Sequence, residues 1–331
     1  MGAGGLVYTG QAPGKLILTG EHAVVDGHPA IAVALPRLTT VRLREHTGVS
    51  TLRSAIHDDR LWPALLTVLP AEGLDVQITS DLPVGCGLGS SAALAVATLR
   101  ALNAREVADG GSESAPRFPA DFAELHRRAF AIERAFHGNP SGIDHAVSLL
   151  GGAVRYRRAA PLPGALPGAL PGALPGALSG TPEITSLNLR HPLTIIVVNT
   201  GKPAFTTAEM VAKVRARGSA AELRAIGEIV EHVSACLAAG AAVNAAVQSE
   251  RLGPLLDENH SLLQRIGVST PALDDVCALL RKAGASGAKL AGAGGGGVCF
   301  GVCAPERAVA LQQAAADVGF EAFVVTINAS C

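Results

Sequence analysis

The segment Pro83-Val-Gly-Cys-Gly-Leu-Gly-Ser-Ser91 lies between two different periodic patterns. Before it, Asp75–Thr79 alternates apolar and polar residues, as strands do, and Ser90–Asn103 after it is an alanine- and leucine-rich run typical of a buried helix. Glycines at 85, 87 and 89 leave the backbone accessible, and the start of a helix offers unpaired N–H groups to an anion. The segment therefore predicts a phosphate-binding loop, with a serine-capped structural turn as the alternative. It is not a Walker A loop, because no Gly-Lys-Ser/Thr follows the glycines.

A second glycine-rich segment, Lys289-Leu-Ala-Gly-Ala-Gly-Gly-Gly-Gly297, satisfies the dinucleotide spacing G-x-G-x-x-G. That fingerprint must follow a strand and open a helix, whereas these glycines lead into the strand-like Val298–Val302. We therefore expect no dinucleotide site here, and tight NAD(P) binding would be needed to support an oxidoreductase. A turn that packs against the phosphate loop and a tight connection between a helix and a strand are both compatible with the pattern.

Glu133 and Asp144 are separated by a turn of glycine, asparagine and proline, residues 138–142. Glu133 is near the end of an amphipathic helix predicted between Pro119 and Phe136, and the turn lets the chain reverse. Both carboxylates could then face one cleft. Taken alone, Glu133 is better explained as a solvated residue on a helix face. The eleven-residue spacing between Glu133 and Asp144, which matches the family described below, favours the cleft instead.

Together these segments and their order resemble the GHMP kinase superfamily: Ala12–Lys15 running into Gly20–His22, then Pro83–Ser91, then Lys289–Gly297. Within it, Glu21–Val25 and His137–Asp144 are most similar to the mevalonate kinases. Ala291 and His145 depart from residues frequent in the family, which leaves fine substrate contacts open.

The resemblance implies ATP-dependent phosphoryl transfer to a small hydroxylated acceptor, mevalonate first, with Mg²⁺ as cofactor. It implies that Asp144 is the catalytic aspartate, that Lys15 lies beside it, and that Ser91 and Glu133 hold the metal. The ATP-binding residues implied are Pro83, Gly85, Gly87, Leu88, Gly89, Ser90, Ser91 and Ala92. The substrate-binding residues implied are Lys15, Glu21, His22, Asp144, Thr207, Gly292 and Ala293.

Two alternatives to this function stay open. A related kinase of phosphomevalonate, a sugar or homoserine would share the phosphate loop. A non-catalytic relative would bind ATP or a metabolite without turnover, although such a protein would be expected to have lost Asp144, Glu133 or Lys15.

The mixture of strands and helices lacks strict βαβ alternation, so we predict an α+β protein. The resemblance implies two domains with the active site between them: a ribosomal-S5-domain-2-like α/β domain over residues 1–190 and a ferredoxin-like α+β domain over 191–331. The pattern predicts a helix through most of 220–247 and separate short helices at 261–266 and 272–283. The remaining predicted strands are 16–18, 30–34, 40–44, 193–198, 297–302 and 321–327.

Composition sets the remaining expectations. The 331 residues carry 27 basic and 28 acidic side chains, so nothing global favours nucleic acid or an anionic membrane as partner. Six cysteines form neither a CxxC pair nor a disulfide framework, and no secretory leader or membrane-span pattern is present, so we expect thiols and a cytoplasmic location. A homodimer is left open.

A Leu-Pro-Gly-Ala repeat runs through residues 162–177. Because proline returns every four residues, the repeat cannot be a helix or a central strand. Its flanks, Ala153–Arg157 and Glu183–Leu187, have the pattern of paired strands. We predict a surface hairpin tip that tolerates length changes, with a partner-binding arm as the alternative.

Overall fold

The computed structural model describes residues 6–108, 121–137, 140–158, 182–238 and 244–328, and these form two sheets with helices packed on them. The strands are β1 Val7–Thr19, β2 Pro29–Val49, β3 Thr51–Ser54, β4 Glu72–Ser80, β5 Ala153–Arg157, β6 Glu183–Leu187, β7 Leu193–Asn199, β8 Gly287–Ala291, β9 Val298–Cys303 and β10 Glu321–Ile327. The helices are α1 Leu61–Leu65, α2 Ser90–Ala108, α3 Phe122–His137, α4 Ile143–Leu150, α5 Thr207–Arg217, α6 Ala220–Ala238, α7 Ala245–Arg265, α8 Pro271–Ala283 and α9 Ala308–Asp317.

The first sheet is organised around the long strand β2, which pairs with three neighbours. One half of β2 pairs with β4 and the other half pairs with β5. Strand β1 pairs antiparallel with β2 along most of the length of β2. The order is β3-β4-β2-β5-β6, with β3 parallel to β4. The two strands predicted at 30–34 and 40–44 are therefore one continuous strand, because different partners satisfy the backbone groups of its two halves.

The second sheet has the order β10-β7-β9-β8, with all neighbours antiparallel. Helices connect β7 to β8 and β9 to β10, and β8 and β9 form a hairpin. This is the βαββαβ arrangement of a ferredoxin-like unit. The predicted α+β class and the ferredoxin-like C-terminal half are confirmed.

One continuous hydrophobic core joins the two sheets, since it contains Leu16 and Val33 of the first and Ile195 and Phe300 of the second. Helix α2 lies on β1 through small buried side chains, Ala93 and Ala97 among them, which let the helix approach the sheet closely. The two halves are therefore packed together, and residues at their junction are held by both.

Two sequence predictions are corrected by helix α7. The pattern predicted one helix to about residue 247 and another at 261–266, but the chain is helical from Ala245 to Arg265, through Pro254. Pro254 is exposed, while neighbouring Leu252 and Leu256 are buried and anchor the helix in the core.

The strands flanking the repeat pair as predicted, with Arg157 opposite Glu183 at the end of the β5–β6 ladder. The repeat itself, residues 162–177, lies outside the described residues. In the part of the chain that the structure describes, no helix has both the length and the apolar character needed to cross a membrane. The five cysteines located there, Cys86, Cys236, Cys277, Cys299 and Cys303, are all free thiols.

Candidate active site

The phosphate loop connects β4 to α2 and is fixed against the first strand. Gly85, Gly87 and Gly89 all have positive φ angles. The backbone N–H of Lys15, on β1, donates to the carbonyl of Leu88 at 2.9 Å, and its Nζ donates to the carbonyl of Gly87 at 3.0 Å. The loop is thus shaped by glycine conformations and attached to the lysine that the sequence singled out.

Lys15 and Asp144 form an ion pair beside this loop. Nζ of Lys15 is 3.2 Å from Oδ1 of Asp144, and the lysine side chain is 4% exposed whereas that of Asp144 is 28% exposed. Asp144 lies in the first turn of α4, which starts after Gly142, a residue with φ of 96°. A Cβ at Gly142 would lie 2.3 Å from the hydroxyl of Tyr156, so only glycine fits where the chain turns to present Asp144. The predicted proximity of Lys15 and Asp144 is observed.

Glu133, near the end of α3, is buried close to the same carboxylate. Burial and the neighbouring Asp144 raise the pKa of Glu133 to about 8, while a hydrogen bond from Ser91 and the charge of Lys15 act in the opposite direction. Its Oε1 is buried without a hydrogen-bond partner in the described structure. The alternative of a solvated position on the helix face is excluded, because the Glu133 side chain is only 1% exposed.

The unsatisfied oxygen of Glu133 fits a cation. Glu133 and Ser91 together supply a carboxylate and a hydroxyl, the hard oxygen ligands that Mg²⁺ prefers. No group of three or more His, Cys, Asp or Glu in the described ranges could hold a metal by itself. A Mg²⁺ ion at Ser91 and Glu133 would consequently take its other ligands from phosphates and water, as Mg²⁺ commonly does.

A small open cavity of about 90 Å³ borders the phosphate loop. Apolar side chains, Ile56, Leu61 and Val84 among them, form part of its lining, and Arg60 and His137 are among its polar residues. His137 Nε2 is 2.9 Å from the hydroxyl of Ser91, and burial lowers the pKa of His137. An apolar wall with a few fixed polar groups is the usual character of a small-molecule site.

The arginine at this cavity is itself held in place. Arg60 pairs with Asp58 at 2.7 Å and donates to the carbonyl of Phe136 at 2.8 Å. The hydrogen bonds from Arg60 lower the pKa of Asp58. A fixed guanidinium therefore lies next to the phosphate loop.

The second glycine segment forms the β8–β9 hairpin and packs against the phosphate loop. An added Cβ at Gly292 would lie 3.8 Å from the carbonyl of Gly87, and one at Gly297 would lie 3.0 Å from the carbonyl of Cys86. The turn joins two strands, so the alternative of a helix-to-strand connection is wrong. The glycines lead into strand β9, as predicted, and not into the helix that a dinucleotide fingerprint requires.

His22 reaches across to this hairpin. Its Nε2 is 2.9 Å from the carbonyl of Ala293. Since a carbonyl only accepts, Nε2 carries the proton, and burial lowers the pKa of His22, which favours the neutral ring. Nδ1 is then an acceptor, and it is buried without a partner in the described structure.

Two other substrate candidates lie elsewhere. Glu21 points into the junction between the sheets and forms a fully buried ion pair with Lys289 of β8. Thr207 is the exposed first residue of α5, and Phe205, two residues before it, lies near Gly295 of the glycine turn. The structure therefore associates Glu21 with Lys289 and leaves Thr207 at an exposed helix start.

Lys289 and His137 stand in segments that carry the family resemblance, but no functional role was predicted for either of them or for Arg60. For Lys289 a signal existed: it is one charged residue in the otherwise apolar or small run Gly287–Ala291, which is buried throughout. The roles of His137 and Arg60 could not be predicted locally, because they depend on contacts with Ser91 and Phe136 across the fold.

Comparison with known proteins agrees with this arrangement. The model of the GHMP kinases N-terminal domain matches residues 54–152, and the model of the GHMP kinases C-terminal domain matches residues 243–319. The chain is 33% identical to a mevalonate kinase of Thermococcus sibiricus, covering 90% of this chain and 89% of that one. It is also 33% identical to a mevalonate kinase of Archaeoglobus fulgidus, covering 90% and 93% respectively.

Among solved structures, the L. major mevalonate kinase in complex with R-mevalonate superimposes with a TM-score of 0.78. The identity is 25%, and the alignment covers 98% of this chain and 96% of that one. The likeness therefore extends over both sheets and the junction between them.

Proposed function

From the premise that this chain belongs to the GHMP kinase family and to the mevalonate kinases within it, we propose how its residues carry out phosphoryl transfer. The proposed reaction moves the γ-phosphoryl group of ATP to the 5-hydroxyl of (R)-mevalonate, giving 5-phosphomevalonate and ADP. One observation carries the proposal: the Lys15–Asp144 pair lies directly beside the glycine loop, to which Lys15 is itself hydrogen-bonded.

Asp144 accepts the proton of the acceptor hydroxyl. Its side chain is the more exposed member of the pair, so a substrate hydroxyl can reach it while Lys15 stays buried. The ammonium of Lys15 stabilises negative charge that develops on the acceptor oxygen. Phosphoryl transfer demands mainly this kind of positioning and charge neutralisation.

The phosphate loop binds ATP through Pro83 and the backbone N–H groups of residues 84–92, which include the start of α2. The cavity next to Arg60 and His137 receives the nucleoside part of ATP.

Ser91 and Glu133 hold Mg²⁺, which when bound neutralises charge on the phosphates. Glu133→Gln should accordingly raise the Mg²⁺ concentration needed for half-maximal rate, and an unchanged metal titration curve would contradict this role.

His22 recognises the acceptor. Because its Nε2 donates to Ala293, the Nδ1 atom can accept a hydrogen bond from a hydroxyl but cannot donate one to a carboxylate. Gly292, Ala293 and Thr207 complete the substrate side in this proposal. Glu21 supports the acceptor site indirectly, through its ion pair with Lys289.

The test is an ADP-release assay with mevalonate, phosphomevalonate, galactose and homoserine as acceptors. A site that hydrogen-bonds particular groups rejects acceptors that lack them, since its own buried polar atoms are then left unpaired. We expect the highest kcat/KM with mevalonate. A higher value with another acceptor would reassign the substrate, and nucleotide binding without turnover on any acceptor would favour a sensor.

We also propose two domains meeting between β6 and β7, at about residue 190, a cytoplasmic location and a homodimer. The five free thiols of the described residues support a reducing compartment. Sedimentation of the full chain would test the homodimer.

A further inference from the structure

A buried ion pair joins the two sheets next to the proposed acceptor site. Glu21 follows β1, Lys289 lies in the middle of β8, and 268 residues separate them in sequence. The Lys289 side chain is 0% exposed and that of Glu21 is 1% exposed. Nζ of Lys289 also donates to the carbonyl of Leu290 at 2.7 Å and lies 5.3 Å from the ring centre of Phe300.

Stability alone does not account for such a pair. Removing both charges from water costs free energy that their attraction repays only with good geometry, and apolar replacements of similar volume are often neutral or stabilising. Burial lowers the pKa of Lys289, while Glu21 counteracts this. Oε2 of Glu21 has no partner among the described residues, so even the pair as built leaves part of its desolvation cost uncompensated.

The pair lies next to a strained residue that faces the same hairpin. His22 has φ of 61° and ψ of −46°, and it is the one non-glycine residue with positive φ in the described part of the chain. Backbone strain of this kind persists only where surrounding contacts impose it. Here the contacts are the Glu21–Lys289 pair on one side and the His22–Ala293 hydrogen bond on the other, both directed to residues 289–293.

The same residues also touch the phosphate loop. The turn of the hairpin starts at Gly292, which lies against Gly87, and the carbonyl of Gly87 accepts the hydrogen bond from Lys15. A shift of β8 relative to β1 would therefore move the acceptor side and the phosphate side of the site with respect to each other. Phosphoryl transfer is sensitive to such a shift, because displacements of about 1 Å can cost about 10²-fold in rate.

We propose that Lys289 is a positioning residue for phosphoryl transfer, which acts through its ion pair with Glu21 to hold His22 and the glycine hairpin in register with the phosphate loop. The inference rests on the proposed function. It assigns Glu21 to the support of the acceptor site instead of direct contact with the acceptor.

The experiment compares the double variant K289M/E21M with a matched control. Methionine at both positions removes both charges and keeps much of the side-chain volume, so no unpaired charge stays buried. The control is R155M/E231M, which removes the ion pair between Arg155 of β5 and Glu231 of α6 at 2.6 Å. That pair also joins the two halves, but it is partly exposed and distant in sequence from the glycine hairpin.

We expect K289M/E21M to melt at or above the wild-type Tm and to lose about 10²-fold in kcat/KM for mevalonate. KM for ATP should change little, and the control should keep wild-type rates. In NMR spectra, the His22 ring signals should shift in K289M/E21M and not in the control. K289R, which retains the positive charge opposite Glu21, should keep more of the wild-type rate than K289M/E21M.

Three results would overturn the inference: a double variant with wild-type kcat/KM, unmoved His22 signals, or a double variant that does not fold and so makes the pair a structural requirement. Wild-type enzyme that releases no ADP with mevalonate would instead contradict the proposed function, and the inference with it. The two failures are distinguished by the wild-type measurement in the same assay.

Discussion

Asp144 is the residue on which the proposed chemistry depends most directly. Asp144→Asn retains the shape of the side chain but removes its charge and basicity. General-base catalysis contributes about 10²–10⁴-fold, so we expect kcat to fall by that amount. ATP affinity, measured by calorimetry, should change little, because Lys15 still holds the carbonyl of Gly87. Asp275→Asn, at an exposed position on α8, is the control, and a variant that kept more than about a tenth of kcat would exclude Asp144 as the base.

Glu133 predicts a pH dependence of stability for the metal-free protein. Its pKa rises from 4.5 in the unfolded chain to about 8 in the folded one. Between these values the native state holds a proton that the unfolded state has lost, so stability falls as pH rises, by up to about 1.4 kcal/mol per pH unit. Glu133→Gln should remove this slope.

The measurement is urea unfolding in EDTA at pH 5, 6.5 and 8 for wild type and Glu133→Gln. Burial lowers the pKa values of His126 and His145, which makes stability rise with pH below about 6.5 and so opposes the Glu133 effect there. Because both proteins contain these histidines, the difference between the two isolates Glu133. The variant should gain on wild type from pH 5 to 8, and a difference that does not depend on pH would contradict the buried, protonated carboxyl.

At the scale of elements, the phosphate loop depends on a close contact between Gly89 and Lys15. Gly89 has φ of 74°, and an added Cβ would lie 2.8 Å from Cγ of Lys15. Gly89→Ala therefore adds backbone strain and also pushes the lysine away from Asp144. We expect a loss in kcat of at least about 10-fold, because the reacting groups are displaced.

Gly319→Ala is the matched control. Gly319 has φ of 85° and no atom within 4 Å of an added Cβ, so the variant has similar left-handed strain without the contact. Gly89→Ala should lose at least as much thermal stability as Gly319→Ala in a melting experiment, and only Gly89→Ala should lose activity. Equal kinetic losses in both would show that strain, and not the position of Lys15, is responsible.

Elements with a strong local pattern could be predicted from the sequence. Helices α2 and α3 and strands β7 and β10 follow directly from apolar periodicity. The continuity of β2 and of α7 could not be predicted, because it depends on strand partners and on the exposure of Pro254, which the local sequence does not encode.

The same division applies to the site. Sequence segments and their order were sufficient to predict the phosphate loop and the three residues Lys15, Glu133 and Asp144. The destination of Glu21 could not be predicted, since its partner Lys289 is 268 residues away and comes close only when the two sheets pack. Long-range pairing of this kind belongs to the whole molecule and not to a motif.

At the scale of the whole molecule, the contribution of residues 162–177 to stability depends on how the first sheet holds the two strands that flank them. Their flanking strands β5 and β6 are already paired from Ala153–Leu187 to Arg157–Glu183, and β5 is further paired with β2. The ends of the connection are therefore fixed by the first sheet and not by the repeat. The free energy of closing a flexible loop changes by only about 0.6 kcal/mol for each doubling of its length.

Replacing residues 162–177 with a short Gly/Ser turn should consequently leave kcat/KM for mevalonate and Tm close to wild type. A scrambled repeat of the same length and composition is the control for sequence-specific contacts. Melting several degrees lower for the shortened chain would mean that the repeat packs on the rest of the protein, because a lost packing contact of about 1 kcal/mol lowers Tm by about 2–4 °C in a chain longer than 150 residues. A loss of activity at unchanged Tm would instead place the repeat at the active site. Wild-type kcat/KM and Tm in both variants would identify the repeat as a connection between β5 and β6, which the sheet alone holds together.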